Sequence, residues 1–167
     1  MAPRTFVDPS LPSSCARAAT AAEARYRIQR PVAPARAPRV VGLDDGAVGI
    51  VRRVAGLDWA NARFYAWRDA GLLQGVDGGS ATLDDELASA DVVVMIATSD
   101  GGADAAHTIG EACFQRGIMT AGLVVAGDGG AGDGADRAVA ALRPHARVLL
   151  PGADESDVVE LLRALRA

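Results

Sequence analysis

The chain has 167 residues, half of them apolar, and a formal net charge of −4. That is enough apolar content for one domain with its own core, and the acidic balance argues against a general nucleic-acid binder, which carries a basic patch. All 17 cationic side chains are arginine, which excludes a Walker lysine, a Schiff base and a lysine general base.

Residues 1–38 differ in composition from the rest. Pro3, Pro9, Pro12, Pro31, Pro34 and Pro38 flank an Ala/Arg segment, Ala16 to Arg30, with the makings of one helix. This reads as an arm that is flexible or lies over the domain surface, with partner binding or oligomerisation as the sharper alternative. The expected domain spans residues 39–167. There is no apolar core of a secretory signal near Met1 and no apolar run of 18 residues. Cys15 and Cys113 show neither metal nor redox spacing. A reduced, cytoplasmic protein that does not span a membrane is the expectation.

From Pro38 onwards the pattern is regular. Arg39-Val-Val-Gly-Leu43 is a strand candidate, followed by the turn Asp44-Asp-Gly-Ala-Val-Gly49 and a helix through Ile50, Val51 and Val54. The segment Leu57 to Leu73 supports two readings. Phe64, Tyr65 and Trp67 suit a strand, whereas Leu57, Ala60, Phe64 and Trp67 fit one face of a helix. The aromatics gathered between Trp59 and Trp67 are expected in the core. Gly75 to Ser80 reads as a loop, and Thr82 to Ala88 as a short helix with a Thr cap and an acidic first turn.

Asp91-Val-Val-Val-Met-Ile96 is a continuous apolar run of strand length, as in parallel strands buried on both faces. A turn, Thr98-Ser-Asp-Gly-Gly-Ala-Asp104, leads into a helix through His107 and Arg116, in which Cys113 is expected to be a buried, inert thiol. A second buried strand follows over Gly117 to Val125. Gly127 to Gly134 reads as a flexible connection, its aspartate spacing being wrong for a calcium loop. A helix over Asp136 to Arg143 is stopped by Pro144, and Arg147-Val-Leu-Leu150 is a strand ended by Pro151-Gly152. A last helix carries Val158, Leu161, Leu162 and Leu165 on one face. Alternating strands and helices of this kind give an α/β domain with a mostly parallel sheet.

Two turns follow strands and precede helices, one around Gly42, Asp44, Asp45 and Gly46, the other around Thr98, Ser99, Asp100, Gly101, Gly102 and Asp104. If their strands are neighbours where the sheet order reverses, both turns line one crevice, the usual ligand position in such sheets. Glycines there permit positive φ and a close ligand approach. The aspartates oppose a bare phosphate, since two unit charges about 4 Å apart repel by roughly 4 kcal/mol at an effective dielectric near 20. A divalent cation such as Mg²⁺ would reverse that sign. Capping offers a structural role for each acid, with Asp100 and Asp104 at the helix through His107 and Asp44 and Asp45 at the first helix. No metal-ligand spacing stands out. The acid–base candidates are His107 and Glu111, four residues apart on one helix.

The segment Ala90-Asp-Val-Val-Val, Ser99-Asp-Gly-Gly-Ala-Asp104 and Gly117-Ile-Met-Thr-Ala-Gly-Leu-Val-Val125 resembles the GTPase domain of the FtsZ/tubulin superfamily. The matching features there are a strand, a glycine-rich phosphate loop, a helix and a second strand. Arg39 to Gly49 looks like that family's first strand and turn, and Leu142 to Pro151 like its helix and strand ending in proline. The resemblance implies a three-layer, doubly wound, Rossmann-like fold and a nucleotide or other phosphorylated ligand, with Mg²⁺ beside it. Only Gly101 and Gly102 remain of the phosphate signature, and the first turn carries Asp44 and Asp45 where the family has glycine. With no second domain to complete GTP hydrolysis, the expectation is weak or lost nucleotide binding, action through a protein partner or homo-oligomer, and no polymerising GTPase. Ile96-Ala-Thr-Ser-Asp-Gly and Arg116 to Leu123 are also similar to sugar-isomerase (SIS) domains, which implies that Thr98 and Ser99 hold a sugar phosphate. The competing class is a small-molecule enzyme using His107 with a neighbouring carboxylate and, in one version, a metal.

Overall fold

The computed structural model describes residues 34–126 and 135–167. The Ala16 to Arg30 segment, Cys15 and the Gly127 to Gly134 connection lie outside the described residues. The parallel core begins with β1 (Pro38–Gly42), α1 (Asp45–Ala55) and β2 (Arg63–Trp67). After a short 3-10 turn at Asp69–Gly71 come β3 (Leu72–Gly75), β4 (Ser80–Thr82) and α2 (Leu83–Leu87). Then follow β5 (Val92–Ala97), α3 (Ala103–Arg116), β6 (Met119–Val125), α4 (Asp136–Leu142), β7 (Val148–Ala153) and α5 (Glu155–Leu165).

One seven-stranded sheet has the order β4-β3-β2-β1-β5-β6-β7. The five strands β2, β1, β5, β6 and β7 are parallel to one another, while β3 pairs antiparallel with both β2 and the edge strand β4. Val40, Val94, Ile96 and Leu123 face α1 and α5, where Val51, Val54, Val158 and Leu162 meet them. Val41, Val93 and Met95 face the opposite layer, with Leu87 of α2, Ile109 of α3 and Leu142 of α4. Alternation along each strand puts successive residues on opposite faces, so covering both faces makes the run Val92 to Ala97 apolar throughout. The protein is therefore a three-layer, Rossmann-like α/β domain. Among the described residues no helix is long and apolar enough to cross a membrane.

The ambiguous segment Leu57 to Leu73 resolves as a strand. Phe64 and Tyr65 are buried from β2 onto opposite core layers, and Trp59 packs on Phe64 with ring centroids 6.3 Å apart. The turn at Gly75 to Ser80 joins β3 to the edge strand β4, two strands that the sequence pattern does not show, because four- and three-residue strands are too short for a period to develop. The last strand differs too. It continues through Pro151 and Gly152, with a register shift opposite Val124 and Val125, and Gly152 at φ 73°. An edge strand with a bulge tolerates a residue lacking an N–H.

Candidate functional site

The sheet order reverses between β1 and β5, which are direct neighbours, so the turns leaving their carboxyl ends share one crevice. In open α/β sheets that crevice is where ligands bind. Asp44 stands in it. It is the N-cap of α1, with Oδ1 accepting from the Ala47 N–H at 2.9 Å. The same oxygen accepts from the Thr98 hydroxyl at 2.6 Å, and Oδ2 accepts from the backbone N–H groups of Thr98 and Ser99 at 2.8 and 3.0 Å. Burial pushes the Asp44 carboxyl up, but the hydrogen bonds from Thr98, Ala47 and Ser99 outweigh it and hold the group below its ordinary range. The acid is ionised at neutral pH, and its charge is met by the donors a phosphate would use.

Two glycines of these turns, Gly46 and Gly102, serve the chain itself. Gly42, Gly46, Gly101 and Gly102 are not among the residues with positive φ, so they are not there for the left-handed conformation. A Cβ on Gly46 would stand 2.2 Å from Thr98 Oγ, and one on Gly102 would stand 2.6 Å from the Leu43 Cβ. Their bareness lets the two turns close on each other. The expectation that these glycines are needed for positive φ is corrected.

The remaining acids are placed differently from one another. Asp45 is the first residue of α1, next to its cap. Asp100 does not cap the helix through His107. Its Oδ1 accepts from the N–H groups of Arg137 and Ala138, at 2.8 and 3.1 Å, in the first turn of α4. The residue preceding α4 is Ala135, which has no side-chain acceptor, so Asp100 supplies the missing cap from 37 positions away. Asp104 is not a cap either. It is the second residue of α3, and its carbonyl accepts from Thr108. Ser99 accepts from the Gly101 N–H in the short 3-10 turn at Asp100–Gly102.

His107 does not pair with a carboxylate. Its Nδ1 lies 3.3 Å from Nε2 of His145, with ring centroids 5.3 Å apart. Glu111 instead accepts from the Gln115 side chain at 3.1 Å. Residues His107 and Glu111 thus fall on one helix but into separate contacts. His107 is exposed, beside an open depression of about 470 Å³ lined by Asp104, Thr108 and Arg137. Cys113 is fully buried, and burial pushes its thiol up to about 12. That fits the inert core role.

A second polar cluster lies at the opposite, amino end of the parallel strands. Arg39, 3% exposed, donates from Nε to Glu86 at 2.6 Å and from its terminal nitrogen to Ser89 at 2.6 Å. Glu86 also meets Arg63 at 3.2 Å. Burial raises the Glu86 carboxyl, but the Tyr65 hydroxyl and the two arginines hold it low. Burial and Glu86 in turn push Tyr65 up to about 12. Arg39, Arg63, Tyr65, Glu86 and His145 were not expected as polar partners. One signal existed, a charged residue inside the otherwise apolar run Pro38 to Leu43, since a buried arginine demands an acid. Among the described residues no three His, Cys, Asp or Glu side chains are arranged to hold a metal ion.

Fold and crevice define the class, a Rossmann-like α/β domain with its switch-point donors taken up internally. Beyond that class, no protein-family model matches the chain, and neither a curated protein nor a solved structure is significantly similar to it.

Proposed function

We propose that this chain is a binding domain on a phosphate-site scaffold, FtsZ/tubulin-like in design, that has lost free-nucleotide binding and acts through protein contacts. The observation that carries the reading is Asp44. Its carboxylate holds the Thr98 and Ser99 N–H groups and the Thr98 hydroxyl, the groups through which either a nucleotide or an SIS-type sugar phosphate would be held. An entering phosphate must displace a fixed carboxylate or lie beside it, and both arrangements are unfavourable. Mg²⁺ would find Asp44 already committed to four donors. The enzyme alternative has less support, because His107 is exposed and beside a second imidazole rather than enclosed with a carboxylate. For the protein contact we take Phe114, the most exposed large apolar side chain among the described residues, at 77% exposure.

Calorimetric titration of GTP, GDP and a sugar phosphate, each with and without Mg²⁺, tests this. The expected result is no binding at submillimolar ligand. Micromolar GTP binding by the unmodified chain would overturn the reading. For the contact half, Phe114→Ser is expected to leave the fold intact and weaken self-association in sedimentation velocity. A wild-type chain that is monomeric at every concentration would remove the homo-oligomer.

A further inference from the structure

The two histidines of this chain, His107 and His145, come from different elements and meet nitrogen to nitrogen. We propose that they form a two-imidazole site for a divalent transition-metal cation of the Zn²⁺ type. Two nitrogens bound tetrahedrally to zinc at about 2.0–2.1 Å stand about 3.3–3.4 Å apart. The separation of His107 Nδ1 from His145 Nε2 is 3.3 Å, so little side-chain movement is needed to aim both at one ion. The rings are inclined at 58° rather than stacked.

The surroundings hold this arrangement in place. Gly110 lies one turn beyond His107 on α3, and a Cβ there would fall 2.3 Å from His145 Cγ. The absence of a side chain at Gly110 therefore creates the seat for the second ring. The His145 backbone is fixed by its own N–H, which donates to Leu142, and by its carbonyl, which accepts from the Thr120 hydroxyl. A hydrogen bond between the facing nitrogens requires a proton on one of them. On binding, that proton moves to the outer nitrogen of the same ring, leaving two neutral imidazoles with both facing lone pairs on the ion. No co-reactant is needed and no net charge is lost from the protein.

Imidazole selects borderline ions such as Zn²⁺, Ni²⁺ and Cu²⁺ over the hard, oxygen-seeking Mg²⁺ and Ca²⁺. Asp104 and Arg137 line the depression beside His107, one of each charge. Among the described residues no third ligand completes the set, so the remaining positions are open to water. An open site of this kind binds reversibly and presents an exchangeable face. It is distinct from the Asp44 crevice, and its fate is independent of the reading given above.

The test uses the full chain with any affinity tag removed, titrated with Zn²⁺ while the imidazole C–H resonances are followed by NMR, with Mg²⁺ as the control. The expected result is one Zn²⁺ per chain, both histidines shifting in the same titration, and no response to Mg²⁺. His107→Gln and His145→Gln should each weaken Zn²⁺ binding by at least about tenfold, because the second imidazole binds as an intramolecular ligand. Gly110→Ala keeps both imidazoles but evicts His145 from its seat, and it should weaken binding as well. Zn²⁺ affinity unchanged in either histidine variant, each verified as folded by circular dichroism, would overturn the proposal.

Discussion

Replacing Asp44 by alanine tests the central claim about the crevice. The substitution removes an N-cap from α1, a change that costs about 1 kcal/mol. It also strips the partner from the Thr98 N–H and hydroxyl, which are partly buried, and from the more exposed Ser99 N–H. A part-buried donor left unsatisfied costs about 1–3 kcal/mol, whereas an exposed one turns to water at little cost. At the lower end of those ranges the sum is about 3 kcal/mol, and for a domain of this size the melting temperature should then fall by roughly 10 °C. Urea unfolding should show a lower midpoint at an unchanged slope. Vacating the carboxylate position also frees its donors, so inorganic phosphate at tens of millimolar should restabilise the Asp44→Ala protein and leave the wild type where it was. A loss below about 0.5 kcal/mol, the size of an ordinary surface change, would refute the reasoning. Phosphate stabilising both proteins equally would refute it too.

Other outcomes follow from the same structure. Glu86→Gln leaves the buried Arg39 without its counter-charge and should cost about 3 kcal/mol or more in urea unfolding, whereas Arg63→Gln, on the exposed side of the cluster, should barely move the midpoint; equal effects would contradict the assignment. Asp44 and Glu86 are both held below the usual carboxylate range, so the folded state binds their protons less tightly than the unfolded one. Their stabilisation is complete above the unfolded values near about 4 and disappears as pH falls through the lower folded values. A decline in stability that begins above pH ~6 and is absent from the Asp44→Asn and Glu86→Gln proteins would count against this. Tyr65 is raised, to about 12, so the ultraviolet difference between wild type and Tyr65→Phe should titrate near that value. Its contribution is intact below the unfolded value near about 10 and is lost as pH climbs towards the folded one. Gly102→Ala drives a Cβ to 2.6 Å from that of Leu43 and should cost about 1–3 kcal/mol, while Gly101→Ala, whose Cβ would lie 3.5 Å from Ser99 Oγ, should be close to neutral in thermal unfolding.

The framework was legible because its signals are local. The apolar run before Thr98, the Thr82 cap and the amphipathic last helix each announce themselves within a few residues, and the structure places a strand or helix at each. The order of β1 and β5 was legible only as a condition, since pairing across some 50 positions leaves no periodic trace. The site suffered more from this. Asp44 could be read as the cap of its own helix, but not as the partner of Thr98, 54 residues on. Asp100 looked like the cap of the helix that follows it, because spacing cannot show that α4 arrives with an uncapped end. His145 sits among polar residues after Pro144 and has no pattern at all, and its neighbour is set by the bare surface of Gly110. The acids were visible throughout. What they neutralise is a tertiary fact.

The carboxylate of Asp44 gives the crevice an occupant whose supply never varies. A tethered group competes at an effective concentration of millimolar or more, set by geometry rather than by the surroundings. The junction between α1 and the turn after β5 is thereby clasped by a group that the chain itself carries. Substitution of this one side chain would turn a constitutive clasp into a junction that answers to dissolved anions.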